Sequence, residues 1–194
     1  MVTRAEHRRT TLLRLSDAAI SLFESEGPTV TIEAIAAEAG VARRTVFRYV
    51  DGKEELAFIH PLLWFDVFEA GLESAPADPL AERLRVASRA IAQHIDDDPE
   101  PPRRAFTVAA TNPELSRGFT SVFQRWIDRI ADEVLTAHDG EADPGSQFRA
   151  RIVGAAVMGM VDAVTRTWIS SPPGTRFVDL YDEGFAILAP LITD

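Results

Sequence analysis

Apolar side chains along this chain recur at three- and four-residue intervals almost from end to end. That spacing lines them up on one face of an α-helix. Leu12, Leu15, Ala19, Leu22 and Phe23 form the first such stripe, within a helix predicted from about Arg4 to Ser25. Gly27 and Pro28 end it, because glycine accepts the left-handed backbone of a helix stop and proline cannot continue the turn. Thr31 opens a second, short helix with Ile32, Ile35, Ala36 and Ala39 on its inner face and Gly40 at its end. A third helix is expected over Ala42 to Val50. A fourth is expected from Asp51 to about Leu72, where Asp51 and Glu54 have the spacing of a capping box. Later helices are predicted near Leu80 to Ile95, Arg103 to Ala110, Pro113 to Ala137, Gln147 to Ile169 and Arg176 to Ile192, with Pro-, Gly- and acid-rich gaps between them. Two-residue alternation is missing, so the expected fold class is all-α.

The stretch from Thr31 to Leu56 narrows the function. Helices of about eight residues joined only by Gly40-Val41 cannot lie side by side, so they must cross steeply, as in a helix-turn-helix. Ile32, Ile35, Ala36, Val46 and Val50 then build a small core with the first helix, and Val41 plugs the angle. Arg43, Arg44, Thr45, Phe47 and Arg48 are left pointing outward. A face of guanidinium and hydroxyl donors without acid suits a major groove.

Charge at first points the other way. Twenty Lys and Arg against thirty Asp and Glu give a net charge of -10, which taken whole would repel nucleic acid. The distribution of charge along the chain points back toward nucleic acid. Residues 1–56 hold 8 basic and 9 acidic side chains, whereas residues 57–194 hold 12 and 21. Arg4, Arg8, Arg9 and Arg14 stand against Glu6 alone in the first fourteen residues, and Val41 to Val50 contains no acid. The amino-terminal cluster fits either a free tail or an arm on DNA. With no cysteine there is no disulfide, thiolate site or Cys nucleophile. The first ten residues lack a signal-peptide pattern, and apolar runs such as the nine residues Val153 to Val161 fall well short of a membrane span. A cytoplasmic chain without membrane contact is expected.

Thr31, Ile35-Ala36, Ala39-Gly40-Val41, Thr45-Val46-Phe47-Arg48-Tyr49-Val50 and Lys53-Glu54-Glu55-Leu56 stand at spacings that resemble the DNA-binding domain of the TetR family of regulators. The resemblance covers roughly residues 10–56. It implies a three-helix DNA-binding domain over 1–56 and a larger helical ligand-binding and dimerisation domain over 57–194. It also implies roles: Thr31, Tyr49 and Lys53 on phosphates, Arg43 and Arg44 at base edges, and Thr45 on base or backbone. Two positions depart from the family pattern. Ala42 stands where serine is frequent, which removes a side-chain cap. Phe47 stands where tyrosine is common, and is expected against sugar or the fourth helix.

The remaining helices carry Trp64, Phe68, Phe106, Trp126, Met158 and Trp168. The resemblance implies that such residues line an effector cavity, but for any single one of them ordinary core packing is the favoured reading. It further implies that the last two helices pair with a second subunit. Enzyme motifs are missing: no His-Glu-x2-His, phosphate loop or dinucleotide fingerprint occurs. Asp96, Asp97, Asp98 and Glu100 lack calcium-loop spacing and read as a solvated helix end. The expectation is a homodimeric repressor of a pseudo-palindromic double-stranded operator, without a cofactor or metal, released by a hydrophobic small molecule. An activator, or a ligand- or partner-binding module with a vestigial helix-turn-helix, are the alternatives.

Overall fold

A computed structural model describes residues 3–77, 79–137 and 143–192, and every regular element among them is helical. The chain forms two compact units, residues 1–63 with 100–122 and residues 64–99 with 123–194. The first therefore extends past residue 56 and takes in a segment forty residues further along.

Unit one begins with α1 (Arg4–Glu26), whose start is closed by a Thr3–Glu6 capping box and whose end is Gly27 at φ 77°. Leu12, Leu15, Ala19, Ile20 and Phe23 are buried on one side of it. α2 (Ile32–Glu38) ends in a Schellman stop, with Val41 N–H donating to Ala36 O and Gly40 N–H to Ala37 O. Gly40 adopts φ 64°, which any Cβ would strain. α3 (Arg43–Val46) follows. Ile35 and Val46 are fully buried, so the short turn holds the two helices through one apolar contact zone.

Regular α3 is shorter than the expected 42–50 segment; beyond Val46 the backbone continues only as turns, with Tyr49 and Val50 N–H groups donating to Val46 O. Ala42 indeed supplies no side-chain cap. The expected continuous fourth helix is also replaced. A 3-10 segment covers Lys53–Phe58, α4 is Ile59–Leu63, and a new helix starts after Trp64. Pro61 contributes to the break, since it has no N–H to return to residue 57. The Asp51–Glu54 capping box is not formed: Gly52 is the cap residue and makes no side-chain bond. Instead Glu55 turns inward, accepting from Asp51 N–H (3.4 Å) and the Ser121 hydroxyl (3.0 Å). α7 (Glu100–Thr111) and the beginning of α8 (Ser116–Ala137) complete this unit. α7 starts earlier than expected because Pro101 and Pro102 occupy its first turn, where a missing N–H costs nothing.

Unit two contains α5 (Phe65–Ser74), α6 (Leu80–Asp97), the rest of α8, α9 (Pro144–Ser170) and α10 (Phe177–Ile192). Its centre is Phe68, Leu84, Trp126, Trp168, Tyr181 and Phe185. α8 and α9 touch backbone to backbone at Gly154, where a Cβ would stand 2.6 Å from Ile127 O. The acidic stretch expected as a solvated helix end is not simply solvated, and Asp96 lies in the last turn of α6. Both Asp96 carboxylate oxygens accept from the first N–H groups of α10, Phe177 (2.6 Å) and Val178 (3.1 Å). By length and composition alone α9 could cross a membrane. Counting uninterrupted apolar runs misses this, because Asp162 and Arg166 divide the stretch while sharing an ion pair.

Candidate nucleic-acid interface

The outward side of α3 and the turn after it carries Arg43, Arg44, Phe47 and Arg48, all exposed, with Thr45 and Tyr49 half-buried. Val46 and Val50 face the core, so the alternation fixes which residues look out. Phe47 keeps 47% of its surface in water, and the Arg43 guanidinium covers its ring at 5.2 Å.

Tyr49 joins the two basic patches that are distant in sequence. Its hydroxyl accepts from Arg48 (2.7 Å), whose guanidinium sits 4.7 Å above the ring, and Arg8 of α1 approaches the same ring at 5.9 Å. The start of α1 and the turn after α3 thus form one cationic surface, with aromatic ring faces supporting the guanidinium groups. Arg14 does not join it; it donates to Ala39 O at the end of α2 and so caps that helix.

Thr31 is the cap residue of α2, its hydroxyl oxygen accepting from Ala34 N–H at 3.2 Å. The hydroxyl hydrogen is not used in that bond and can still be given to a phosphate. Lys53 has a structural role as well. Its ammonium donates to Pro28 O (2.5 Å) and Val30 O (2.9 Å), closing the loop between α1 and α2. A third proton remains for a phosphate, but the structural duty comes first. Glu33 of α2 was not singled out by the sequence pattern, yet its carboxylate pairs with Arg43 Nε at 2.7 Å. No local spacing reveals that pair, because it spans the turn.

The six aromatic and methionine candidates for an effector site are divided between the two units. Phe106 belongs to the first unit, the other five to the second. Trp126 is stacked on Phe65 at 3.9 Å and meets Phe68 edge-on at 5.4 Å. Trp168 donates its indole N–H to Thr175 O and packs edge-on against Phe177. Trp64 and Met158 are buried as well. Beside the Trp126 cluster runs a chain of charges: Arg83 and Arg129 share the buried Glu133, and Arg129 also pairs with Glu69. The hydrogen bond from Arg129 holds the Glu69 carboxyl below its usual value. Burial pushes the Tyr181 phenol upward, so it stays neutral.

Residues 15–58 match the model for bacterial regulatory proteins of the tetR family, and residues 78–193 match a model described as the MftR C-terminal domain. A curated relative from Mycobacterium tuberculosis, named for regulation of mycofactocin biosynthesis (MftR), is 27% identical over 164 residues, which is 84% of this chain and 81% of that protein. The fold is similar to that of the fatty acid degradation regulator FadR from Bacillus halodurans, at TM-score 0.59 and 16% identity over 92% of this chain and 94% of that one. It is also similar to FadR from Bacillus subtilis in complex with stearoyl-CoA, at TM-score 0.56 and 16% identity over 91% of this chain and 96% of that one. A helix-turn-helix with an acid-poor outer face, a separate helical unit and these two family matches lead to one conclusion: the chain belongs to the TetR family of transcriptional regulators.

Proposed function

We propose that this regulator is a cytoplasmic homodimeric repressor that binds a pseudo-palindromic operator and is released by a hydrophobic, acyl-bearing small molecule. The observation that carries the DNA half is the joined surface of Arg8, Arg44, Arg48 and Tyr49 around an exposed α3. Arg43, Arg44 and Thr45 would meet base edges and Phe47 a thymine methyl or sugar. Thr31, Arg48, Tyr49 and Lys53 would hold phosphates.

Dimerisation is supported by apolar surface that the chain leaves uncovered. Phe148 and Ile152 on α9, and Ile187 and Leu191 on α10, are each more than half exposed. Ala155, Gly159 and Ala163 continue the α9 stripe with small exposed residues at helical spacing. A second subunit covering this face accounts for the apolarity of α9 without a bilayer. Trp64, Phe68, Trp126, Met158 and Trp168 of the second unit remain proposed effector contacts. The stearoyl-CoA held by the Bacillus subtilis protein supports an acyl ligand class.

Footprinting of the purified protein on DNA flanking its own gene tests the reading. Protection of two symmetric half-sites, lifted by a long-chain acyl-CoA, is the expected result. Binding that shows no preference over unrelated DNA would sink it. Replacing Ile187 by Glu should yield monomers by sedimentation and weaken operator binding together.

A further inference from the structure

Arg43 meets both a carboxylate and an aromatic ring. Its Nε lies 2.7 Å from a Glu33 carboxylate oxygen on α2, an ion pair in which both side chains are largely in water at 62% and 56% exposure. Its guanidinium plane rests near the Phe47 ring, 5.2 Å from the centroid. A guanidinium presents five N–H donors along a rigid planar fork. With Nε the guanidinium atom nearest the carboxylate, the edge left to project away from it is the pair of terminal amino groups. Those two parallel donors match the O6 and N7 acceptors of guanine. The ring limits rotation about the side chain, so less freedom remains to be lost on binding.

The carboxylate has a second effect. It cancels much of the Arg43 charge and repels phosphate, so Arg43 gains little from sitting on the DNA backbone. Arg48 faces no such constraint; its partner is the neutral Tyr49 hydroxyl. The two arginines are therefore set for different tasks, one for a base and one for the backbone.

We infer that Glu33 and Phe47 are positioning residues that aim the terminal amino groups of Arg43 at one guanine in each half-site, making Glu33 a determinant of operator sequence. The inference rests on the operator-binding reading above. It is tested with full-length protein by selecting bound sequences from a random DNA pool. Each position of the selected half-site is then varied in competition binding. Arg43→Ala identifies the position read, by erasing the guanine preference there. Glu33→Gln keeps shape and removes charge; it should lower the preference at that same position about ten-fold. Other positions should be unchanged, and affinity for unrelated DNA should rise. Phe47→Leu should soften the same position, and Glu33→Asp should restore part of the preference.

An unchanged guanine preference in Glu33→Gln overturns the inference, as does an equal loss at every position, which would mark Glu33 as a purely structural residue. Wild-type protein that selects no sequence from the pool would instead remove the operator reading itself.

Discussion

The two units spend their cations differently. In the first, Arg43 and Arg104 meet Glu33 and Glu24, but Lys53 and Arg14 donate to main-chain oxygens at helix ends and loops, and Arg44 and Arg48 stay at the surface. In the second, arginines meet carboxylates: Arg83 and Arg129 on Glu133, Arg129 on Glu69, Arg89 on Asp182. A cation already answered by a carboxylate adds little to the field felt by DNA. The acidic excess of residues 57–194 thus answers several of its own arginines, whereas Arg48, on the face around α3, meets the neutral Tyr49 hydroxyl. Net charge of the whole chain is silent about this.

Trp168→Ala gives the largest expected change on either side of the contrast. It removes a fully buried ring and its bond to Thr175, and should cost about 3–5 kcal/mol in denaturant unfolding. Next is Glu133→Ala, which leaves two arginines sharing no carboxylate. A loss of about 2–3 kcal/mol is expected, less than for a sealed pair because each arginine keeps 24% of its side chain in water. Lys53→Met probes the first unit. Unpairing the Pro28 and Val30 carbonyls should cost about 1–2 kcal/mol. If Lys53 also holds a phosphate, the slope of operator affinity against salt falls by about one; a stability loss with an unchanged slope assigns it to the loop alone.

Asp96→Ala uncaps α10 and should cost about 1 kcal/mol. The smallest effect concerns pH. Glu69 is held below its usual value by Arg129, so the pair's contribution is complete above about pH 4.3 and fades as pH falls further. Glu69 is half exposed, so only a few tenths of a kcal/mol are expected. Glu69→Gln should make acid unfolding correspondingly less steep.

Helix periodicity, the Gly27-Pro28 stop and the Gly40-Val41 turn were readable because each depends on neighbours in sequence. What escaped depended on distant partners. Glu55 turns inward to meet Ser121, so the local capping pattern at Asp51 and Glu54 is not used. Asp96 caps a helix 81 residues away. Lys53 occupies a position that the family resemblance ties to phosphate, but the orientation of an ammonium on a flexible stem is decided by the nearest carbonyls. The outward set at 43, 44, 47 and 48 was legible because buried Val46 and Val50 leave those positions no inner side. Glu33 was not, because its partner lies across the turn.

Gly118 packs so close to the 53–55 segment that a Cβ there would stand 2.4 Å from Glu54 O. Together with α7, this makes the early part of α8 a structural member of the DNA-facing unit. One cut cannot therefore separate a transplantable reading head from this chain. A chimera that swaps operator preference by exchanging the first 56 residues would keep a foreign surface at 100–122. The natural unit of exchange is discontinuous, and fusions should carry both segments or redesign the contact at Gly118.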